Sequence, residues 1–276
     1  IGATSRSKGV PQAVRDLTTP FPYNDLDALH TLFKAHPGEF AAVIMEPMSV
    51  EEPKPGYLAA LAELVRAQGA VLIFDEIVTG FRYALGGAQD YFGITPDLAA
   101  FGKGMGNGMP ISAVVGRADL MVQMEEIFFS ATFGGESLSL AASLSVIDKM
   151  RREPVIETLW DNSTSLASAA TALIEQFDLT QVMQLRGMAP WKVVVFEDHA
   201  GARREAIRTL WMREMIRHGV LTLGSHNICY AHDAHDLAII SRAWEKALGA
   251  LRDALDSGAL ESNLPCPVIE PIFRVR

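Results

Sequence analysis

Asp75 and Lys103 are the side chains whose types and setting could do chemistry. The stretch VLIFDEIVTGFRYALGGAQDYFGITPDLAAFGKGMGNGMP, residues 71–110, runs an apolar segment into Asp75 and Glu76 and later sets Lys103 among glycines. A carboxylate at the end of a buried run is costly to leave unpaired, so Asp75 is expected to face a cation. Arg82 is one candidate and the protonated ring nitrogen of a cofactor is the other. The blander readings are a capping aspartate and a solvated loop lysine. The glycines beside Lys103 would let the backbone approach a flat ligand and clear space for the amine.

An amine held in a dry site gives up its proton more readily and can form a Schiff base. A carboxylate that keeps a pyridine protonated, together with such a lysine, is the minimum equipment for pyridoxal phosphate. Asp75 would hold the ring proton and Lys103 would carry the substrate Cα proton as base and then acid. The glycines do not spell a phosphate loop, since G-x-x-x-x-G-K-[ST] is not present.

These groups need elements that deliver them to one place. FAAVIME (Phe40–Glu46) and AVLIFDE are short continuous apolar runs, the pattern of strands buried on both faces. Between them PGYLAALAELVRAQG places Leu58, Leu61, Leu64 and Val65 at helical spacing, with Gly69 as its stop. Strand, helix and strand at this spacing predict a βαβ crossover in a parallel sheet. Ligands then sit beyond the carboxyl ends of the strands, where Glu46, Asp75 and Glu76 should meet in one crevice. DLAAFGK and ISAVVG read as two further strands, and Ser137–Arg152 as a helix with small residues on one side. Asp25 is expected to cap a helix over LDALHTLFKAH. Residues 1–24 read as an irregular lead-in broken by Pro11, Pro20 and Pro22.

Beyond Glu153-Pro154 the texture becomes α+β, with helices over Val155–Gln176, Arg203–His218 and Asp236–Ser257 around a β-rich WKVVVFE. The division is therefore 1–152 for the site-bearing α/β domain and 153–276 for a smaller domain. The composition, 49% hydrophobic and 21% charged over 276 residues, is that of an ordinary globular protein. A net charge of −9 argues against a nucleic-acid surface. No apolar run approaches the roughly 18 residues of a membrane helix. Two cysteines, Cys229 and Cys266, are too few for a disulfide framework and point to a reducing cytoplasm.

The motif D-E-I-V-T-G-F-R at Asp75–Arg82, followed by T-P-D-L, then G-K with G-M-P, closely resembles the class III (ω-type) PLP-dependent aminotransferases. Within them it is most similar to the glutamate-1-semialdehyde aminomutase branch. FPYNDLDAL and AAVIMEP fit the same family, and the likeness is strong from about Val10 to Met150. The resemblance implies a fold-type I α/β enzyme: a mostly parallel sheet in a large domain, then a smaller C-terminal α+β domain. It implies Lys103 as the Schiff-base lysine and Asp75 as partner of the pyridine nitrogen. Ile77 would pack on the ring face and Glu46 would stand near the cofactor. Val78 lies where many family aminotransferases have Gln, an apolar choice similar to the aminomutase branch. Thr132, in SATFGGES, matches a threonine that reaches the cofactor phosphate of the neighbouring subunit, implying a homodimer with shared sites.

The pattern departs from the family at Gly135-Glu136-Ser137, where G-N-P is common; the carboxylate would face solvent or alter the substrate mouth. The family's Gly-Ser/Thr phosphate loop and ring-stacking aromatic are not seen before Phe40, so the chain reads as the last two-thirds of such an enzyme. The implied reaction is amino transfer between a small-molecule amino donor and a carbonyl acceptor. The alternatives are intramolecular transfer on glutamate semialdehyde and a catalytically silent fold. His226, His232 and His235 fit no zinc spacing, and no metal is expected. His232 is placed on the substrate side. Arg82 either binds a substrate carboxylate or fixes the loop after Asp75. Met105, Met109 and Trp211 read as packing.

Overall fold

The structure, a computed structural model, describes residues 8–270. Two compact units divide the chain: Asn24–Asp161, and Ile1–Tyr23 with Asn162–Arg276. Pro11 does not break the lead-in; it stands at the N-cap of a one-turn helix, α1 (Gln12–Arg15). A residue without an N–H loses nothing where the first helical donors are unpaired.

The first unit opens with α2 (Leu26–Ala35), whose N-cap Asp25 accepts the Ala28 N–H at 2.9 Å. Then come β1 (Ala42–Met45), α3 (Tyr57–Ala67) and β2 (Val71–Asp75). Leu58, Leu61 and Val65 are buried on α3, and Gly69 adopts φ +70 just after it. A short α4 (Ala88–Phe92), β3 (Leu98–Phe101), β4 (Ala113–Gly116), α5 (Ala118–Met121) and α6 (Ser137–Arg152) complete the set. The sheet order is β1-β2-β3-β4, with the first three strands parallel and β4 antiparallel to β3.

Burial on both faces, expected for both apolar runs, is not reached: β2 buries one face with Leu72 and Phe74 while Val71 and Ile73 on the other are half-buried, and β1 is more open still. Ile44 is 62% exposed. Among the described residues β1 is an outer strand of this sheet, flanked on one side only. On α6 the small side faces inward, where Ser139 and Ser143 are buried. Glu136, read from sequence as facing solvent or altering the substrate mouth, has a local structural role. It is the N-cap of α6, accepting from Leu138 N at 2.6 Å and from Ser139 N and Oγ at 2.8 and 2.7 Å. Those donors favour the charged form and hold its pKa below the usual carboxylate range.

In the second unit, α7 (Val155–Gln176, its start counted with the first unit) precedes β5 (Met183–Arg186), β6 (Lys192–Phe196), α8 (Arg204–Arg217), β7 (Ser225–His226) and α9 (Ala234–Asp256). The three strands form an antiparallel sheet in chain order. The charged run on α8 hides a broad apolar face, on which Trp211 meets Trp244 of α9 with ring centroids 4.9 Å apart. Both indoles are fully buried, and rings of this size dominate a core. Asp233 and Asp236 form a reciprocal capping box at the start of α9.

His226 is buried against Trp244, edge to face at 5.4 Å, and neither ring nitrogen has a hydrogen-bond partner among the described residues. Burial, and then the nearby Lys192 ammonium, push its pKa from 6.5 down to about 4. The unfolded chain therefore takes up a proton that the fold refuses. Stability should fall as pH drops below 6.5, by up to about 1.4 kcal/mol per pH unit, until the folded ring itself titrates. Urea unfolding at pH 7 and pH 5 checks this: His226→Phe should lose markedly less stability than the parent over that interval.

Candidate active site

Parallel pairing decides the site. Met45 pairs with Phe74 and Asp75 with Ala100, so β1, β2 and β3 end at the same edge of the sheet. One step on, the chain presents Glu46, Asp75 and, past Phe101-Gly102, Lys103. Side chains at the carboxyl ends of parallel strands share one crevice because the strands are only about 4.8 Å apart. The electrostatics agree. The pKa of Glu46 is raised, first by its own burial and next by the Asp75 charge, against opposing pulls from Lys103 and Ser49. Two carboxylates and an ammonium therefore sense one another at this edge.

Asp75 is half-buried, and one of its oxygens, Oδ1, accepts the Ile77 N–H at 3.0 Å. Among the described residues Asp75 forms no ion pair with a protein side chain, and this backbone donor engages only Oδ1. Lys103 begins a 3-10 turn (Lys103–Met105) with its backbone at φ +40, a left-handed conformation that is strained for a residue with a Cβ. Its side chain is exposed rather than held dry.

The glycines around Lys103 serve protein packing. A Cβ on Gly102 would lie 3.1 Å from Ile77 Cδ1, and one on Gly104 would lie 3.6 Å from Gly80 O and 3.7 Å from Phe81 Cβ. The segment after Asp75 is thus laid directly on the backbone that carries Lys103. From α6, the buried Ser143 hydroxyl donates to Met105 O at 3.1 Å and pins the far end of the 3-10 turn. Met105 is buried with Ala99 and Phe101, while Met109 is 41% exposed and is not packing.

Glu76 does not join the crevice. Successive residues leaving a strand point to opposite sides, so Asp75 facing the edge sends Glu76 the other way. Its fully buried carboxylate accepts from Thr79 Oγ1, Ala88 N at 2.8 Å and Gln89 N at 2.7 Å. Ile77, Val78 and Arg82 are half-buried on the segment between. Thr132 lies in the first unit on an exposed segment. His232 belongs to the second unit, where its Nδ1 accepts the Cys229 N–H at 3.0 Å and lies 3.3 Å from Cys229 Sγ. Among the described residues no cluster of His, Cys, Asp or Glu could hold a metal ion. No helix there is long and apolar enough to cross a membrane. Reading by residue type missed Ser143 and the inward turn of Glu76. A small polar residue on the inner side of α6, and an acid directly after a strand-end acid, were the available signals.

Comparison with known proteins gives this geometry a context. The family described as Aminotransferase class-III matches residues 5–255. A 3-aminobutyryl-CoA aminotransferase of Cloacimonas acidaminovorans (strain Evry) is 34% identical over 258 residues, covering 90% of this chain and 61% of that protein. A glutamate-1-semialdehyde 2,1-aminomutase of Syntrophobacter fumaroxidans is 41% identical over 167 residues, covering 58% of this chain and 39% of that protein. Among solved structures, the FumI protein of Sphingopyxis sp. MTA144, in its PLP internal aldimine form, matches with a TM-score of 0.82 at 26% identity. It covers 90% of this chain and 61% of that one. A glutamate-1-semialdehyde-aminomutase of Pseudomonas aeruginosa PAO1 matches with a TM-score of 0.75 at 26% identity, over 88% of this chain and 58% of that one. The chain thus spans at most 61% of the length of these four relatives.

The close approach of the two segments predicts a graded response to added methyl groups. A Cβ on Gly80 would fall 2.5 Å from Phe101 Cδ1 and 2.6 Å from Glu76 O, the second a backbone atom that cannot step aside. Gly80→Ala should cost roughly 1–3 kcal/mol in urea unfolding, whereas Gly104→Ala, with ordinary contacts, should cost far less.

Proposed function

The chain belongs to the class III aminotransferases, and from that premise we propose that it carries the catalytic core of a pyridoxal-phosphate-dependent aminotransferase, acting on a small-molecule amine and a carbonyl acceptor. The observation that carries this reading is the shared strand edge at which Asp75, Lys103 and Glu46 stand together.

The residues present fit the cofactor's chemistry. Ile77 N–H holds Oδ1 of Asp75, which leaves the other carboxylate oxygen to receive a protonated ring nitrogen. The strained, accessible Lys103 presents an amine beside it. Bound there, pyridoxal phosphate supplies an electron-withdrawing ring that stabilises negative charge on the substrate Cα. Asp75 keeps the proton on the ring nitrogen. Lys103 would take the proton from the substrate Cα as base and give it up again as acid, a positioned transfer that typically contributes about 10²–10⁴-fold. Ile77 would lie against the ring face, with Val78 beside it. Glu46, whose pKa burial and then the Asp75 charge push upward, would stand near the cofactor. Arg82 and His232 are assigned to the substrate. Residues 1–152 supply the large-domain part and 153–276 the small domain.

A homodimer with shared sites completes the reading, Thr132 reaching the partner's cofactor phosphate. Supporting it, the segment around Thr132 is greasy and open: Phe128 is 98% exposed, Phe129 70% and Phe133 67%, with Leu138 and Leu144 of α6 at 61% and 70%. Apolar surface of this extent on one stretch marks an interaction face. A cytoplasmic location rests on Cys229 and Cys266 being free thiols.

One observation favours the aminomutase as a second reading: Val78 puts an apolar side chain directly after Ile77, and the aminomutase of Syntrophobacter fumaroxidans is 41% identical over 167 residues. An acceptor experiment separates the two. Chain loaded with pyridoxamine phosphate should convert a keto acid or aldehyde to its amine in the aminotransferase reading, whereas the aminomutase needs no external acceptor. With pyridoxal phosphate the parent should turn yellow and Lys103→Ala should not. A colourless parent in excess cofactor sinks both readings for this chain.

The dimer reading has its own check by sedimentation equilibrium. The parent should be a dimer at micromolar concentration, and the double substitution Phe128→Asp, Phe129→Asp should leave a folded monomer.

A further inference from the structure

We propose that Glu76 is a positioning residue that holds Asp75 and Lys103 in fixed relation by clamping the segment 77–88 between them. This rests on the aminotransferase reading for its consequence, though not for its geometry. Glu76 has no exposed surface, and among the described residues its carboxylate is met by neutral donors: the Thr79 hydroxyl and the N–H groups of Ala88 and Gln89. Hydrogen bonds to an ionised acceptor are about twice as strong as neutral ones, and a buried carboxylate robbed of them is severely destabilising. The clamp therefore joins the first turn after β2 to the start of α4, across a dozen residues of intervening chain.

Its grip is close on every side. Gly87, at φ +86, has no room for a Cβ: one would fall 2.7 Å from Glu76 Oε2 and 2.9 Å from Oε1. The Glu76 backbone is tied as well, its N–H to Ala100 O at 2.9 Å and its carbonyl to Gly80 N–H at 2.8 Å. From the clamped segment two contacts reach the chemistry. Ile77 N–H fixes Oδ1 of Asp75, and Ile77 Cδ1, Gly80 O and Phe81 Cβ lie over Gly102 and Gly104, on either side of Lys103. Release of the carboxylate would loosen both at once. Misplacement of reacting groups by about 1 Å can cost about 100-fold in rate. Thr79→Ala removes one donor of three and should give the same effects at smaller size.

The test compares the parent with Glu76→Gln, which keeps the shape but sets an amide against backbone N–H groups. Without cofactor, amide hydrogen exchange should quicken over 77–89 and 102–105 while the β5–β7 sheet keeps its parental rates. With pyridoxal phosphate, the pH titration of the visible absorbance should shift and kcat should fall roughly 10- to 100-fold with KM within about threefold. Where Glu76→Gln fails to fold, Thr79→Ala carries both measurements. Unchanged exchange in the folded variant overturns the clamp. Quickened exchange with parental absorbance titration and kcat overturns the positioning role. A colourless parent removes the catalytic consequence together with the function proposed above, while the exchange arm still decides whether the clamp exists.

Discussion

The candidate site depends on one close contact: the segment that leaves β2 lies on the glycine-flanked backbone that leaves β3. Neither strand alone brings an acid and an amine into one place. Parallel pairing of Asp75 with Ala100 sets the two chain exits side by side. The absence of side chains at Gly102 and Gly104 then lets Ile77, Gly80 and Phe81 come down onto them. On the side where a Cβ would stand, Gly102 and Gly104 meet that loop, closely at Gly102 and at ordinary contact distance at Gly104. The left-handed Lys103 fits the same picture, since strain of that kind persists only where surrounding structure holds it.

Carboxylates divide the labour around this contact according to burial. Asp75 is half-buried with a single backbone donor, while Glu46 is pushed toward its neutral form by desolvation and by Asp75. Glu76, the most deeply buried of the three, is fully occupied with donors from the segment it clamps. Three acids close together in space thus have three environments. An environment of few donors leaves a carboxylate free for a ligand, and one of many donors makes it part of the frame.

The second unit rests on a different kind of interaction. Trp211 and Trp244 are packed between α8 and α9, and His226 is enclosed against the second of them without a polar partner. Dispersion and apolar burial carry this core, and a neutral imidazole is tolerated there as one more flat ring. The exposed phenylalanines near Thr132 belong to the first unit and follow the opposite rule, with large apolar area left to solvent.

Much was legible from sequence because the signals were local. Helix caps at Asp25 and Asp233, the period of α3, the apolar run of β2 and the motif around Asp75 and Lys103 all depend on near neighbours in the chain. The parallel pairing of β1 and β2 also followed from their short helical connection. What only the tertiary structure decided was which groups face which. It exposed Ile44 on an outer strand, made Glu136 a helix cap, gave Asp75 a backbone donor at one oxygen and left Lys103 open to solvent. It also turned Glu76 inward. The physical reason is that periodicity fixes the side of an element on which a residue lies. The partner waiting on that side is set by register and loop packing between segments distant along the chain.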